Sequence, residues 1–154
     1  MWRGFAQWLR TPPRVRWSWP RDRPSARRAG PARVVALRFI DAWGDDLQLR
    51  NEGPGDAADV VVTALLRDAP GAERRLGAAL PSLGAGVDYI VTLRPGREAL
   101  PWEGAGRRVR VRWRDLDGGA GESWAAAGPG EAQLTALVDP PANGAVRGGG
   151  TQRL

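Results

Sequence analysis

The chain has 154 residues, a formal net charge of +6, no Cys and no His, and all of its basic residues are Arg. This composition excludes disulfide bonds, zinc bound through thiolate or imidazole, Ser-His and Cys-His catalysis, and a Schiff-base lysine. The length suits one domain with its own core, and we expect neither a membrane-spanning helix nor a secretory signal, because no apolar run is long enough for either.

The positive charge is concentrated at the start of the chain. Residues 1–38 hold ten Arg and one acid, Asp22, whereas residues 39–154 hold 13 Arg and 16 acids. The body of the protein is therefore mildly acidic, and the basic character belongs to an N-terminal arm. Attraction to nucleic acid, anionic lipid or an acidic protein surface is predicted to act through this arm.

The arm, residues 1–31, is rich in Arg, Trp and Pro. Residues 1–10 are predicted to form a short amphipathic helix when a surface or partner induces it, and residues 21–31 a flexible linker. Arg and Trp together suit stacking on bases, burial among lipid headgroups, or docking on an acidic protein surface. The alternative is a tail with no partner. The predicted binding residues of the arm are Trp2, Arg3, Phe5, Trp8, Arg10, Arg14, Arg16, Trp17 and Trp19.

From residue 33 onward, apolar residues recur at every second position, which is typical of β-strands. Trp43 lies near the predicted end of the first strand, and the turn at residues 44–46 leads into the second. Residues 58–66 are apolar on both faces, which predicts a central strand. The residues of the first two strands that are predicted to face the core are Val35, Leu37, Phe39, Leu47 and Leu49.

The second half continues the same pattern. Residues 73–76 are predicted to form a short edge strand, and Val87, Tyr89, Val91 and Leu93 to share the buried face of the strand that follows it. The clearest alternation spans residues 108–114, with Val and Trp inside and Arg outside. A turn and a return strand carrying Trp124 follow it. Residues 129–154 are rich in Gly and Pro and are predicted to be a flexible tail, apart from a short apolar contact at Leu134 to Val138.

These elements predict an all-β fold. About seven antiparallel strands within residues 32–128 match the size of a single immunoglobulin-like β-sandwich. The basic arm would precede it and the flexible tail would follow it.

Three short motifs resemble those of bacterial immunoglobulin-like repeats, and the nearest group is the CARDB-like, or cell-adhesion-related, modules. The motifs are Asn51-x-Gly53-x-x-x-Ala57-x-Asp59-Val60-x-Val62, then Leu83-Gly84-Ala85-Gly86, and then Val109-x-Val111-x-Trp113-x-Asp115-x-x-Gly118. The resemblance covers roughly residues 33–127 and implies a sandwich without catalytic residues. Such modules usually occur as exported, adhesive repeats, whereas this chain has one copy. At the first corner, Gly53 and Gly55 are expected to permit a positive φ.

Carboxylates cluster in two predicted turns. Asp45 and Asp46 form the first group, and Asp115, Asp117 and Glu122 the second. They could serve a carboxylate-only mechanism, and the second group could bind calcium. Asp is common in turns because it hydrogen-bonds the local backbone, and we favour this structural role for both groups. We therefore expect no catalytic residues, no metal site and no cofactor.

One strand carries a set of outward-pointing arginines that could form a second, weaker binding surface. The members of this arginine stripe are Arg108, Arg110, Arg112 and Arg114. The alternative is a solvated face whose arginines pair with acids on neighbouring strands, for instance Glu122 or Asp88. The acidic balance of the body favours that alternative.

The sequence as a whole predicts a non-enzymatic binding or assembly module, cytoplasmic or particle-associated, without a small-molecule substrate. One form of this hypothesis is a structural component of a phage or other large particle, whose arm docks on an anionic or acidic partner. The alternative is a nucleic-acid or anionic-membrane-surface binder that acts through residues 1–31, with the sandwich as its carrier.

Overall fold

The computed structural model describes residues 26–69, 72–98, 100 and 106–138. Within these ranges the chain forms nine β-strands and no helix. The described residues therefore include no helix that is long and apolar enough to cross a membrane. The strands are β1 (Val34–Phe39), β2 (Asp46–Asn51), β3 (Ala57–Ala69), β4 (Ala72–Leu83), β5 (Asp88–Thr92), β6 (Arg94–Pro95), β7 (Gly106–Asp115), β8 (Ala120–Ala127) and β9 (Thr135–Leu137).

The strands form two antiparallel sheets, one of three strands in the order β1-β2-β5 and one of six in the order β6-β4-β3-β7-β8-β9. The seven longer strands form an immunoglobulin-like sandwich in which the fourth strand pairs with the third rather than with the fifth. This confirms the predicted fold class. The two further strands, β6 and β9, are only two and three residues long and lie at the edges of the larger sheet.

The core lies between the facing sides of the two sheets. Leu47 and Leu49 point into it from β2, as their alternation with polar residues predicts. The central strand β3 pairs with β4 on one side and β7 on the other, which confirms the strand predicted from its two apolar faces. From β7, Val109, Val111 and Trp113 are buried, as predicted, and other buried members of this core are Val34, Phe39, Val60, Val62, Leu66, Leu76 and Leu83.

The first strand departs from the predicted alternation. The pairing of β1 with β2 shifts between Ala36 and Arg38, so that one extra residue is inserted into β1. Val34 and Ala36 face the main core before this bulge, and Phe39 faces it afterwards. The prediction that Val35 and Leu37 share the face of Phe39 was therefore wrong, because a bulge exchanges the two faces of a strand.

The strand predicted at residues 73–76 is part of the much longer β4. On β5 and directly beside its two ends, Val91 and Leu93 are buried as predicted, but Val87 and Tyr89 are 44% and 46% exposed. The prediction that these two are buried was wrong, because β5 lies at the edge of the smaller sheet and, among the described strands, pairs only with β2.

The sandwich extends beyond the predicted boundaries at both ends. The strand β9 pairs with β8 within the predicted tail, at the residues for which an apolar contact is expected, 134–138, and Leu134 is buried there. On the N-terminal side, the backbone amide of Arg28 donates to the Asp56 carboxylate at 2.9 Å, and the Gly55 amide donates to the Pro31 carbonyl at 3.2 Å. The last residues of the predicted linker are therefore bound to the sandwich.

The corner between β2 and β3 is organised by the buried side chain of Asn51. Its Oδ1 accepts hydrogen bonds from the backbone amides of Arg33 and Gly53, at 3.1 and 3.0 Å. Its Nδ2 donates to the carbonyls of Gly55 and Leu83, at 2.8 and 3.0 Å. One amide group thus joins the start of β1, the corner itself and the end of β4.

Glycine is required at this corner by close packing. Neither Gly53 nor Gly55 has a positive φ, contrary to expectation. A Cβ on Gly53 would collide with the Pro31 carbonyl, and one on Gly55 with the backbone of Gly30. The corner therefore presses directly on the segment that leads into β1.

Replacing Asn51 with alanine tests the role of this amide. Because Asn51→Ala leaves two amides and two carbonyls without their partner in a buried place, we expect it to lower the free energy of unfolding by about 3 kcal/mol. Denaturant titration followed by tryptophan fluorescence measures this change.

The matched control is Gln48→Ala, which removes an amide from the more accessible face of the same strand. We expect it to cost less than about 1 kcal/mol. Equal losses for the two variants would contradict the role assigned to Asn51.

Candidate interaction surfaces

The arm itself lies largely outside the described residues. All nine of its predicted binding residues, from Trp2 to Trp19, precede residue 26, where the description begins. Their role stays a prediction. The described structure does show where the arm joins the sandwich.

Asp56 ties the incoming chain to the sandwich. Its carboxylate accepts hydrogen bonds from the backbone amide of Arg28 at 2.9 Å and from that of Ala85 at 2.8 Å. The Asp56 amide in turn donates to the Arg28 carbonyl. The arm therefore enters beside residues 84–87, the connection that leads into β5.

The arginine stripe on β7 is not a uniformly exposed row. Arg108 is only 2% exposed, whereas Arg112 and Arg114 are exposed. The prediction that all four arginines point into solvent was therefore wrong for Arg108. It lies on the outer face of the six-stranded sheet, where Leu100 and Trp124 are also buried.

The central arginines of the stripe pair with an acid, as expected for a solvated face. The acid is neither Glu122 nor Asp88. Glu98, in the connection between β6 and β7, bonds to both Arg110 and Arg112, in the latter case through both carboxylate oxygens at 3.0 Å. The guanidinium of Arg110 also lies 5.5 Å from the centre of the Trp124 ring. Such contacts hold a connecting segment against the sheet and engage Arg110 and Arg112, while Arg114 at the end of the stripe is exposed.

The two acids expected to pair with the stripe have other partners. Glu122 accepts a hydrogen bond from the indole nitrogen of Trp124, and Asp88 forms a bidentate pair with Arg50. Pairing across such distances in sequence depends on the register of the strands and on the path of a loop. The sequence pattern gives neither.

The carboxylates in turns have structural partners within the sandwich. Asp115 accepts from the backbone amide of Ala32 at 2.9 Å, and Asp117 from that of Gly119 at 3.1 Å. Asp45 pairs with Arg74, and Asp46 accepts from the hydroxyl of Thr92. Across the described ranges, no three His, Cys, Asp or Glu residues come together as a potential metal site.

Trp43 is an exposed aromatic residue whose position differs from the one predicted from the sequence. Trp43 is 73% exposed in the β1–β2 loop, not at the end of a strand. The loop is held on both sides: Asp41 Oδ1 accepts from the amides of Gly44 and Asp45, at 2.6 and 3.0 Å, and Arg107 donates to the Ala42 carbonyl at 3.0 Å.

Packing beneath the loop fixes it further. The guanidinium of Arg107 lies 5.1 Å from the centre of the Phe39 ring. Gly44 has a φ of +76°, and the side chain of Leu66 occupies the place where its Cβ would be. The spacing of Asp41 and Gly44 is typical of a β-turn, with Asp first and Gly fourth, and could have indicated that Trp43 points outward.

Comparisons with known proteins add no family to this description. A scan against protein families, a search of curated proteins and a search of solved structures found no match. The likeness to CARDB-like modules therefore stays a prediction based on three motifs.

The anchor at Asp56 has a pH dependence that can be measured. The amides of Ala85 and Arg28 stabilise its charged form and so hold the pKa of Asp56 below its usual value. A lowered pKa contributes stability above the ordinary carboxyl value, and this contribution is lost as the pH falls through the folded value. We expect Asp56→Asn to be about 1 kcal/mol less stable than the wild type at neutral pH, and the difference to shrink below pH about 4.

Urea unfolding at several pH values measures this difference. The control is Asp117→Asn, in an exposed turn with a local hydrogen bond, for which we expect a smaller difference. A stability gap for Asp56→Asn that is the same at neutral and acid pH would contradict the account.

Proposed function

We propose that this protein is a non-enzymatic binding or assembly module. Its sandwich presents Trp43 as a fixed contact, and its basic arm docks on an anionic or acidic partner. The observation that carries the proposal is the exposed Trp43 on a loop pinned by Asp41 and Arg107. Tryptophan is enriched among the residues that dominate binding energy at protein interfaces. A loop that is already fixed loses little conformational freedom when a partner covers it.

The composition supports a binding role over a catalytic one. Without Cys, His or Lys, the common nucleophile–base pairs and the Schiff-base chemistry are excluded. In the described structure the grouped carboxylates are bound by backbone amides, a hydroxyl, an indole nitrogen or an arginine. These carboxylates therefore hold turns and strands together.

A place in a large assembly fits this combination of parts. The proposed setting is cytoplasmic or particle-associated, with the chain as a structural component of a phage or other large particle. A compact sandwich with a long charged extension is suited to such a role, because the extension can order when it meets its partner.

A second candidate is favoured by the uneven charge. Residues 1–31 carry eight Arg and one acid. An arm of this charge would bind nucleic acid or an anionic membrane surface through phosphate contacts, with the sandwich as a carrier. The likeness to CARDB-like modules gives no support to this candidate.

The experiment compares the full chain with Trp43→Ala. The full chain is immobilised, and an extract of its native source is passed over it and washed with increasing salt. We expect one protein to be retained at high salt, since a packed apolar contact is only weakly screened. For Trp43→Ala we expect the affinity for that protein to fall roughly 30-fold, the effect of losing about 2 kcal/mol at a central contact.

The control is Val138→Ala, which alters an exposed apolar side chain away from the loop, and it should bind like the wild type. Duplex DNA and vesicles with and without phosphatidylglycerol test the second candidate. Tight binding to either probe that falls steeply with salt, disappears when residues 1–25 are deleted and is unchanged in Trp43→Ala would overturn the first proposal in favour of the second.

A further inference from the structure

The strand β5 leaves one of its sides without a partner strand in the described structure. It pairs only with β2, in a register that sets Leu49 opposite Tyr89 and Leu47 opposite Val91. At the two ends of this pairing, the Asn51 amide donates to the Val87 carbonyl and the Leu93 amide to the Asp45 carbonyl. Because antiparallel strands alternate the direction of their hydrogen bonds, the N–H and C=O groups of Asp88, Ile90 and Thr92 point away from β2.

The other edges of the described sheets are protected. The edge of β1 is covered by the segment before β9, because the Phe39 amide donates to the Ala132 carbonyl and the Leu134 amide to the Leu37 carbonyl, both at 2.9 Å. The free part of β4 contains Pro81, and β6 and β9 are too short to recruit another strand. Proline, covering segments and shortness are the usual means by which sheet edges avoid further pairing.

Within the part of the chain that the structure describes, the β5 edge has none of these protections. It contains no proline, and its one charged residue, Asp88, is engaged by Arg50 at 2.5 and 2.8 Å. Three apolar side chains at this edge are partly exposed: Val87, Tyr89 and Ile90, the last at 55%. An exposed edge of this kind is a ready site for an added strand.

We propose that residues 14–19 of the arm bind to this edge as an added antiparallel strand of the same chain, with Arg14 opposite Thr92 and Trp19 opposite Val87. This proposal goes beyond the binding role proposed above, because it concerns how the arm is attached and needs no partner.

The pattern of residues 14–19 matches the two sides of β5. In this register Arg14, Arg16 and Ser18 lie opposite the residues whose backbone groups point outward. Arg16 is diagonal to Asp88 on the neighbouring strand, and Arg14 lies opposite Thr92, whose hydroxyl binds Asp46 on the far side of β5. Pairs of opposite charge on neighbouring strands favour such a register.

On the other side of the added strand, large apolar residues meet Tyr89 and Val87, whereas Ile90 lies opposite Arg16 and can pack against the aliphatic part of its side chain. Trp17 lies opposite Tyr89, Trp19 opposite Val87, and Val15 opposite Val91. The partly exposed Tyr89 and Val87 are then covered. A shift by one residue would place the arginines on this apolar side, so the two faces of the added strand are well specified.

The path of the chain agrees with the antiparallel direction. A strand that runs opposite to β5 arrives at residues 84–87, and Arg28 is bound there through Asp56, next to Ala85. The residues between Trp19 and Arg28 can span at most about 30 Å, which is ample for this return. Pro20 directly follows Trp19 and ends the pairing, because it has no amide hydrogen.

This arrangement also orients the rest of the arm. Residues 1–13 would leave the sandwich beside Thr92, at the end where Asp46 begins β2 after the Trp43 loop. The first part of the arm and the exposed Trp43 would then face the same partner.

A disulfide cross-link tests the pairing, and the natural chain has no Cys to interfere. The double variant combines Arg16→Cys with Ile90→Cys, two positions that lie directly opposite each other in the proposed pairing. The Cα atoms of such a hydrogen-bonded pair are about 5.5 Å apart, which suits a disulfide. We expect mild oxidation of the full chain to give an intramolecular cross-link in most molecules, identified by mass spectrometry of the joined peptides.

The control pairs Arg16→Cys with Ala79→Cys, an exposed position on the other sheet, and should remain largely unlinked. Equal intramolecular cross-linking of the two pairs would overturn the proposal, because it would report a tail that visits both sheets. Covalent dimers alone would also overturn it and would indicate that β5 pairs with a second copy.

Hydrogen exchange gives an independent test without cysteine. Arg16→Pro removes the amide that is proposed to donate to the Ile90 carbonyl and so disrupts the pairing. The Ile90 amide, whose proposed acceptor is the carbonyl of residue 16, is then expected to exchange at least about tenfold faster than in the wild type. The control Asp22→Pro, outside the proposed strand, should leave Ile90 unchanged. Equal exchange at Ile90 in the wild type and Arg16→Pro would refute the pairing, whatever partner the protein binds.

Discussion

The whole sandwich depends on a single buried amide at one of its corners. Asn51 uses both hydrogens of its Nδ2 and accepts two bonds at Oδ1, so a polar group fully removed from water is fully satisfied. Its partners come from three separate parts of the chain: the start of β1, the corner into β3, and the end of β4. Since β1 belongs to one sheet and β4 to the other, these bonds fix the two layers relative to each other.

Asp56 adds contacts between this corner and the chain segment that enters from the arm. Where Asn51 joins the layers from inside, the Asp56 carboxylate joins the incoming chain at Arg28 to the β4–β5 connection at Ala85. The close approach of Gly53 and Gly55 to residues 30 and 31 makes room for both contacts. The corner therefore determines where the arm meets the sandwich, and so which strand edge and which loop lie within its reach.

The sequence was most informative where side-chain periodicity and burial coincide. Leu47, Leu49, Val109, Val111 and Trp113 are buried as predicted, and the all-β fold follows from such alternation. The bulge in β1 could not be predicted, because the insertion of one residue into a strand requires no particular residue type. The exposure of Tyr89 depends on β5 lying at a sheet edge, which is a property of the whole topology.

The same limit applies to the candidate surfaces. The four arginines on β7 form a continuous pattern in sequence, yet their environments differ because the connection that carries Glu98 crosses only part of the sheet. The exposure of Trp43 was not predicted, because the hydrogen bonds of Asp41 and Arg107 turn the chain away from the direction of β1 there. Local patterns give the faces of strands, whereas loop paths decide what remains exposed.

The side-chain amide protons of Asn51 offer the most direct test of this account. In a nitrogen-15 NMR spectrum they can be assigned and their exchange with solvent measured. Because both protons are bonded to buried carbonyls, the account predicts a resolved pair of signals with protection comparable to that of core backbone amides. Exchange as fast as that of an exposed asparagine would show that the amide does not join the two sheets, and would contradict the central claim.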